Sequence, residues 1–122
     1  MGILPNSDSV YISESKINGY ALNPEREPNK AAAFREALGY DLSNAEMLIN
    51  NIRENIKKFE ATRKQDNGYG IRYEVIMTLT GENGKRANVK TAWIVDGVTG
   101  ETRLISAYVT KKRIAGVIEH EN

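Results

Sequence analysis

The hydrophobic positions of this chain change their period once, near the middle. Upstream, apolar residues recur at helical spacing: Ala33, Phe34, Ala37 and Leu38, then Ala45, Leu48, Ile49, Ile52, Ile56 and Phe59. Downstream the period is two. Ile71, Tyr73, Val75, Met77 and Leu79 alternate with Arg72, Glu74, Ile76 and Thr78, which marks a long half-buried strand. The first stripe predicts a short helix over 30–38, opened by Pro28 or Asn29 and closed by Gly39, a residue that accepts the left-handed conformation after a last helical turn. The second predicts a helix over about 43–61, where Ser43 and Glu46 have capping-box spacing and satisfy two free N–H groups.

Turn chemistry divides the second half. Residues 62–70 are polar and turn-rich. Gly81-Glu82-Asn83-Gly84 predicts a hairpin, because Asn-Gly accepts the positive φ angles of a type I′ turn. Arg86 to Asp96 returns as a second strand, Gly97-Val98-Thr99-Gly100 turns again, and Thr102 to Thr110 forms a third. Residues 114–122 read as a fourth short strand or a frayed tail. The order predicts an α+β fold with two N-terminal helices packed on a three- to four-stranded antiparallel meander. Residues 1–9 read as a flexible leader and 10–122 as a single domain. Within it, Val10-Tyr11-Ile12 is a short strand or turn that anchors the leader, 17–22 an ordered arm, and Asn23 to Pro28 a loop.

Composition then acts mainly by exclusion. With 122 residues, 40% hydrophobic and 27% charged, the chain supports one core. No apolar run approaches the roughly 20 residues that span a bilayer, and no charged n-region precedes an apolar stretch. Neither a membrane partner nor a signal peptide is therefore expected. With no cysteine, disulfides and thiolate metal sites are excluded. The only histidine, His120, lies in a polar tail and acts as a base only if that tail folds over the sheet. One histidine without partners makes no transition-metal site, the hairpin glycines form no phosphate-binding loop, and no cofactor is expected.

A net charge of +1 lacks the basic excess of a dedicated nucleic-acid binder. The local runs Lys57, Lys58, Arg63, Lys64 and Lys111, Lys112, Arg113 suit a helix C-terminus and an edge strand.

The last two strands carry the candidate chemistry. Side chains at i and i+2 share a strand face, so Thr91 and Trp93 point one way, as do Ser106 and Tyr108, with Lys90 and Arg103 close by. These groups predict a polar surface on one small sheet. Trp93 and Tyr108 also suit sheet packing, and Arg72 beside Glu74 suits a cross-strand ion pair.

Several segments resemble a family. Asn18-Gly19-Tyr20-Ala21-Leu22-Asn23-Pro24, the run Asn29 to Tyr40, Asn44-Ala45-Glu46, Tyr69-Gly70-Ile71-Arg72-Tyr73, Thr91 to Asp96 and Arg103 to Tyr108 are similar, in order, to a small uncharacterised bacterial domain. That domain is found at the C-termini of polymorphic toxins and in some phage proteins. Its helix-then-meander layout is similar to the barnase/EndoU/RelE-like metal-independent ribonuclease toxins, whose sites lie on the sheet. The resemblance implies RNA cleavage, action in the cytoplasm, and RNA together with an immunity or other protein as partners. The family typically carries a His after the Asn-Pro element; here that place reads Glu25-Arg26-Glu27-Pro28, so no imidazole is supplied. Ser106 stands where a Thr is more usual.

On that resemblance Lys30, Arg103, Ser106 and Tyr108 are the candidate catalytic residues. Tyr108 serves as acid or hydrogen-bond donor, Ser106 positions the substrate, and the two cations clamp phosphate. Arg72, Lys90, Thr91 and Trp93 are the candidate substrate-binding residues, with Trp93 stacking a base. A common site requires Lys30, Arg103, Ser106 and Tyr108 to converge. The alternative is a non-catalytic protein-binding domain of phage or mobile-element origin on the same scaffold, pairing a partner with the open edge of the meander.

Overall fold

Helical turns fill the first half and strands the second, as the change of period requires. The computed structural model describes residues 2–66 and 68–111. A single turn, α1 (Glu14–Lys16), runs into a π-helical turn (Ile17–Ala21). Helix α2 spans Pro28–Leu38 and α3 spans Ala45–Asn55, the latter flanked by 3-10 turns at Leu42–Asn44 and Ile56–Lys58. Pro28 opens α2 where its missing N–H costs nothing. Gly39 closes it at φ 78°, as the sequence predicts.

The cap ahead of α3 departs from expectation. Asp41, not Ser43, is the capping residue: its carboxylate accepts from the Ser43 N–H at 2.8 Å, and the Asn44 side-chain oxygen accepts from the Asp41 N–H at 2.8 Å. The ionised acceptor outcompetes the Ser43 hydroxyl, which itself donates to Asp41 at 2.5 Å.

Strands β1 (Ala61–Asp66), β2 (Gly70–Thr80), β3 (Arg86–Asp96) and β4 (Thr102–Thr110) pair antiparallel in sequence order. Strand β1 lies where a turn-rich loop is expected. It is an edge strand whose Thr62, Arg63 and Lys64 are exposed, so it lacks the apolar alternation that betrays a half-buried strand. The fourth strand thus precedes β2. The suggested strand over 114–122, with Lys112, Arg113 and His120, lies outside the described residues.

The β2–β3 turn is not type I′, because Gly84 takes a positive φ of 82° while Asn83 does not. Its tip is pressed against the end of α2. The Asn83 N–H donates to the Leu38 carbonyl at 3.3 Å, and a Cβ on Gly81 would lie 2.0 Å from that same oxygen. Only glycine permits this approach.

One sheet face is sealed. Val75, Met77, Leu79, Val89, Trp93, Leu104 and Ala107 share a cluster with Phe34 and Leu38 of α2 and Leu48 and Ile52 of α3. Residues 2–9, expected as a flexible leader, join the same structure. Leu4 is 1% exposed within this cluster, a burial worth about 1.5–3 kcal/mol, and the Thr102 hydroxyl donates to the Pro5 carbonyl at 2.8 Å. Tyr11 bridges β4 in parallel: its N–H donates to the Thr102 carbonyl at 2.8 Å, and its own carbonyl accepts from Leu104 at 3.0 Å.

A bulge sets the faces of β4. Ala92 pairs with Ser106 and Trp93 with Leu104, which leaves Ile105 without a partner on β3. The extra residue resets the alternation. Leu104 and Ala107 both face the core, 4% and 3% exposed, while Arg103, Ser106 and Tyr108 take the outer face. No helix among the described residues is long and apolar enough to cross a membrane.

Candidate functional site

Strand alternation and the bulge together separate the predicted residues into two sets. Thr91 and Trp93 fall on the sealed face, and each is 0% exposed. The Trp93 indole N–H donates to the Thr91 hydroxyl oxygen at 2.7 Å, and that hydroxyl donates to the Val75 carbonyl at 2.8 Å. Both are core residues with their polar atoms fully engaged, so neither binds a substrate as expected. A buried indole needs an acceptor, and Thr91 is there to supply it.

On the outer face, Lys90 and Tyr108 are directly opposed across β3 and β4. The Lys90 ammonium lies 5.6 Å from the centre of the Tyr108 ring. It also pairs with Glu74 of β2 at 2.9 Å, while Lys64 of β1 reaches the same carboxylate at 3.9 Å. The Glu74 carboxylate, then the Tyr108 hydroxyl, raise the Lys90 pKa above the ordinary lysine value. At neutral pH Lys90 is therefore a fixed positive charge and not a proton acceptor.

Helix α2 brings Lys30 to the same phenol from beside the sheet. Its ammonium lies 5.1 Å from the Tyr108 ring centre and 3.9 Å from a carboxylate oxygen of Glu27. The result is a row of neighbours across four elements, α2, β4, β3 and β2: Glu27, Lys30, Tyr108, Lys90, Glu74.

Beside this row an open cleft of about 180 Å³ is lined by Lys16, Tyr20, Glu27, Lys30, Ile105 and Ser106. Of the four residues a common site requires, Lys30 and Ser106 share this hollow, and Tyr108 and Arg103 are not among its lining residues. Lys16, Tyr20 and Glu27 are cleft residues that the sequence does not single out. Lys16 and Tyr20 stand four residues apart, and Glu27 and Lys30 three apart, spacings that share a helical face; only packing onto β4 shows that the two pairs meet. Arg26 stacks on Tyr20 with its guanidinium carbon 4.8 Å from the ring centre and donates to the Tyr20 hydroxyl at 3.1 Å.

Arg103 does not join the row. Its guanidinium pairs with Asp96 at 3.2 Å and Glu101 at 3.5 Å, inside the β3–β4 turn. Asp96 also accepts from the Val98 and Thr99 N–H groups at 2.7 and 2.9 Å. Backbone hydrogen bonds from Thr99 and Val98, and then Arg103, hold its carboxyl down to a pKa of about 2. Arg72 sits opposite Ile94 on β2, away from the cleft lining. Among the described residues no three His, Asp or Glu side chains gather where they would hold a metal ion.

The fold is similar to that of a chain in the contact-dependent growth inhibition toxin–immunity protein complex from Klebsiella pneumoniae 342. The TM-score is 0.65 over 84% of this chain and 100% of that chain, at 18% sequence identity; at this identity the likeness is one of fold. No curated protein matches the sequence. The family described as a domain of unknown function, DUF6883, matches residues 3–111, and the chain belongs to it.

Proposed function

We propose that this chain is a toxin-like domain that cleaves RNA without a metal ion. The observation that carries the reading is the convergence of the Lys30 and Lys90 ammonium groups on the Tyr108 ring, 5.1 and 5.6 Å from its centre. RNA cleavage of this kind passes through a phosphorane with extra negative charge, and preorganised cations stabilise it more than they stabilise the starting diester. Lys90, kept charged by Glu74, is preorganised in this sense.

The 2′-oxygen attacks phosphorus, the bond from phosphorus to the 5′-oxygen breaks, and the Tyr108 hydroxyl delivers its proton to the departing oxygen. The products are a 2′,3′-cyclic phosphate and a 5′-hydroxyl. Ser106 donates a hydrogen bond to a phosphate oxygen in the cleft it shares with Lys30. Arg103 has no part in this arrangement, since its ion pairs with Asp96 and Glu101 hold it at the β3–β4 turn, outside the cleft lining.

The fold likeness to a chain of a toxin–immunity complex supports a toxin system as the setting and an immunity-type protein as partner. The same likeness favours a second reading, because that complex holds both a toxin and its immunity protein: this chain would then bind a protein partner and carry no chemistry.

Purified chain incubated with total bacterial RNA in excess EDTA separates the two. Cleavage that leaves 2′,3′-cyclic phosphate ends, reduced about 100-fold by Tyr108→Phe, is the expected result. RNA left intact by micromolar protein removes the first reading.

A further inference from the structure

The acid and the cations named above leave one role unfilled, that of the group which takes the proton from the attacking 2′-hydroxyl. Lys90 is held charged by Glu74, and Tyr108 is committed as the donor. The geometry points to Glu27 as the general base, an assignment that rests on the RNA-cleaving reading of the same site.

Three observations place it there. Glu27 directly precedes Pro28 and is the N-cap residue of α2. Here the Glu27 side chain makes no capping hydrogen bond. It lines the cleft with Ser106 and Lys30 and is the only carboxylate among the described residues that does so. It also lies 3.9 Å from the Lys30 ammonium, which in turn lies 5.1 Å from the Tyr108 ring centre. Lys30 therefore stands between the Glu27 carboxylate and the Tyr108 ring. An anionic diester held on its ammonium meets the two groups that an in-line displacement requires.

The step balances without any further reagent. The Glu27 carboxylate takes the 2′-hydroxyl proton, and the freed electron pair forms the bond from the 2′-oxygen to phosphorus. The bond to the 5′-oxygen breaks, and the Tyr108 proton caps it. Solvent then returns the proton from Glu27 to the phenolate. The titratable or charged groups that share the cleft with Glu27 are Lys16 from α1, Tyr20 from the π-helical turn and Lys30 from its own helix; β4 contributes the uncharged Ile105, Ser106 and Ala107.

The test compares wild type, Glu27→Gln and Glu27→Asp on an oligonucleotide with one ribonucleotide, with initial rates taken from pH 4 to 9 in EDTA. The wild-type rate is expected to climb along an acid limb and then level. Glu27→Gln is expected to lose about 100-fold and to lose the limb, while Glu27→Asp keeps the limb with a lower plateau. The thermal midpoint and binding of the all-deoxy oligonucleotide, read by fluorescence anisotropy, should match wild type in Glu27→Gln.

A Glu27→Gln enzyme that stays within about threefold of wild type with its acid limb intact overturns the assignment of Glu27 and leaves the RNA-cleaving reading in place. Loss of deoxy-oligonucleotide binding in that variant makes Glu27 a binding group and likewise overturns the assignment. A wild-type chain that leaves the ribonucleotide uncut overturns both.

Discussion

On the face turned to the helices, Thr91 and Trp93 have no contact with water, and each polar atom has its partner inside the core. One residue away on the same strand, Lys90 faces outward and shares its ammonium between Glu74 and the Tyr108 ring. Both faces carry a hydroxyl and an aromatic ring, so composition alone does not distinguish them. The difference lies in what remains to be satisfied. The sealed face closes a chain of donors and acceptors that ends on a backbone carbonyl, with nothing left to offer a ligand. The outer face keeps a phenol flanked by cations, a surplus that an anion can use.

The comparison breaks most easily at the indole. Trp93→Ala removes the largest fully buried side chain and should cost about 3–5 kcal/mol, read as a large drop in the urea midpoint. A melt like that of wild type would mean that the ring does not fill the core. Thr91→Val sharpens the contrast, since it keeps the shape and strands the buried indole N–H. An unsatisfied buried donor costs about 1–3 kcal/mol. Tyr108→Phe, the matching deletion of one hydroxyl on the outer face, should move stability by less than about 0.5 kcal/mol while reducing cleavage about 100-fold. Equal stability losses from the two substitutions would erase the distinction between the faces.

The change of period from helical to alternating is enough to read the α+β class, the antiparallel order and the end of α2 at Gly39 from the sequence. Four features escape that reading, each for a physical reason. After Ala61, which packs on the core, strand β1 runs through polar residues at the sheet edge, so no periodicity reveals it. The Ile105 bulge is a property of the pairing with β3 and has no signature within β4. Without it Leu104 and Ala107 point to opposite sides, and the buried face is undetermined. Leu4 sits in a segment rich in Pro, Asn and Ser, where its single apolar anchor is outweighed by turn residues. The carboxylate of Asp41 lies outside the Ser43–Glu46 spacing and wins the cap through charge.

The site follows the same logic. The Lys90–Tyr108 opposition is a matter of register and becomes legible once the hairpin is placed. Lys30 meets Tyr108 because α2 packs against β4, a long-range contact that no local pattern announces. Glu27 is hidden because, in the run Glu25-Arg26-Glu27-Pro28, it reads as one loop carboxylate among others.

The smallest effect concerns the turn that holds Arg103 away from the cleft. The Asp96 carboxyl, held at about 2 by Thr99, Val98 and Arg103, titrates below the ordinary value of about 3.9. Its ionised form is thus favoured by folding. The sign follows: its contribution to stability is complete above about pH 4 and fades as pH falls through about 2. Asp96→Asn keeps the size and removes the charge. It should lower the urea midpoint at pH 7, and the gap should shrink as pH falls towards 2, where about half of the folded Asp96 carboxyl is protonated. A loss of equal size at both pH values would assign the effect to hydrogen-bond geometry alone. The substitution also releases Arg103 from its closest carboxylate. If Arg103 stands outside the reaction, RNA cleavage by Asp96→Asn at pH 7 matches wild type once the protein is folded. A change in the rate would return Arg103 to the site and would mean that the outer-face cluster reaches from Lys30 to the β3–β4 turn.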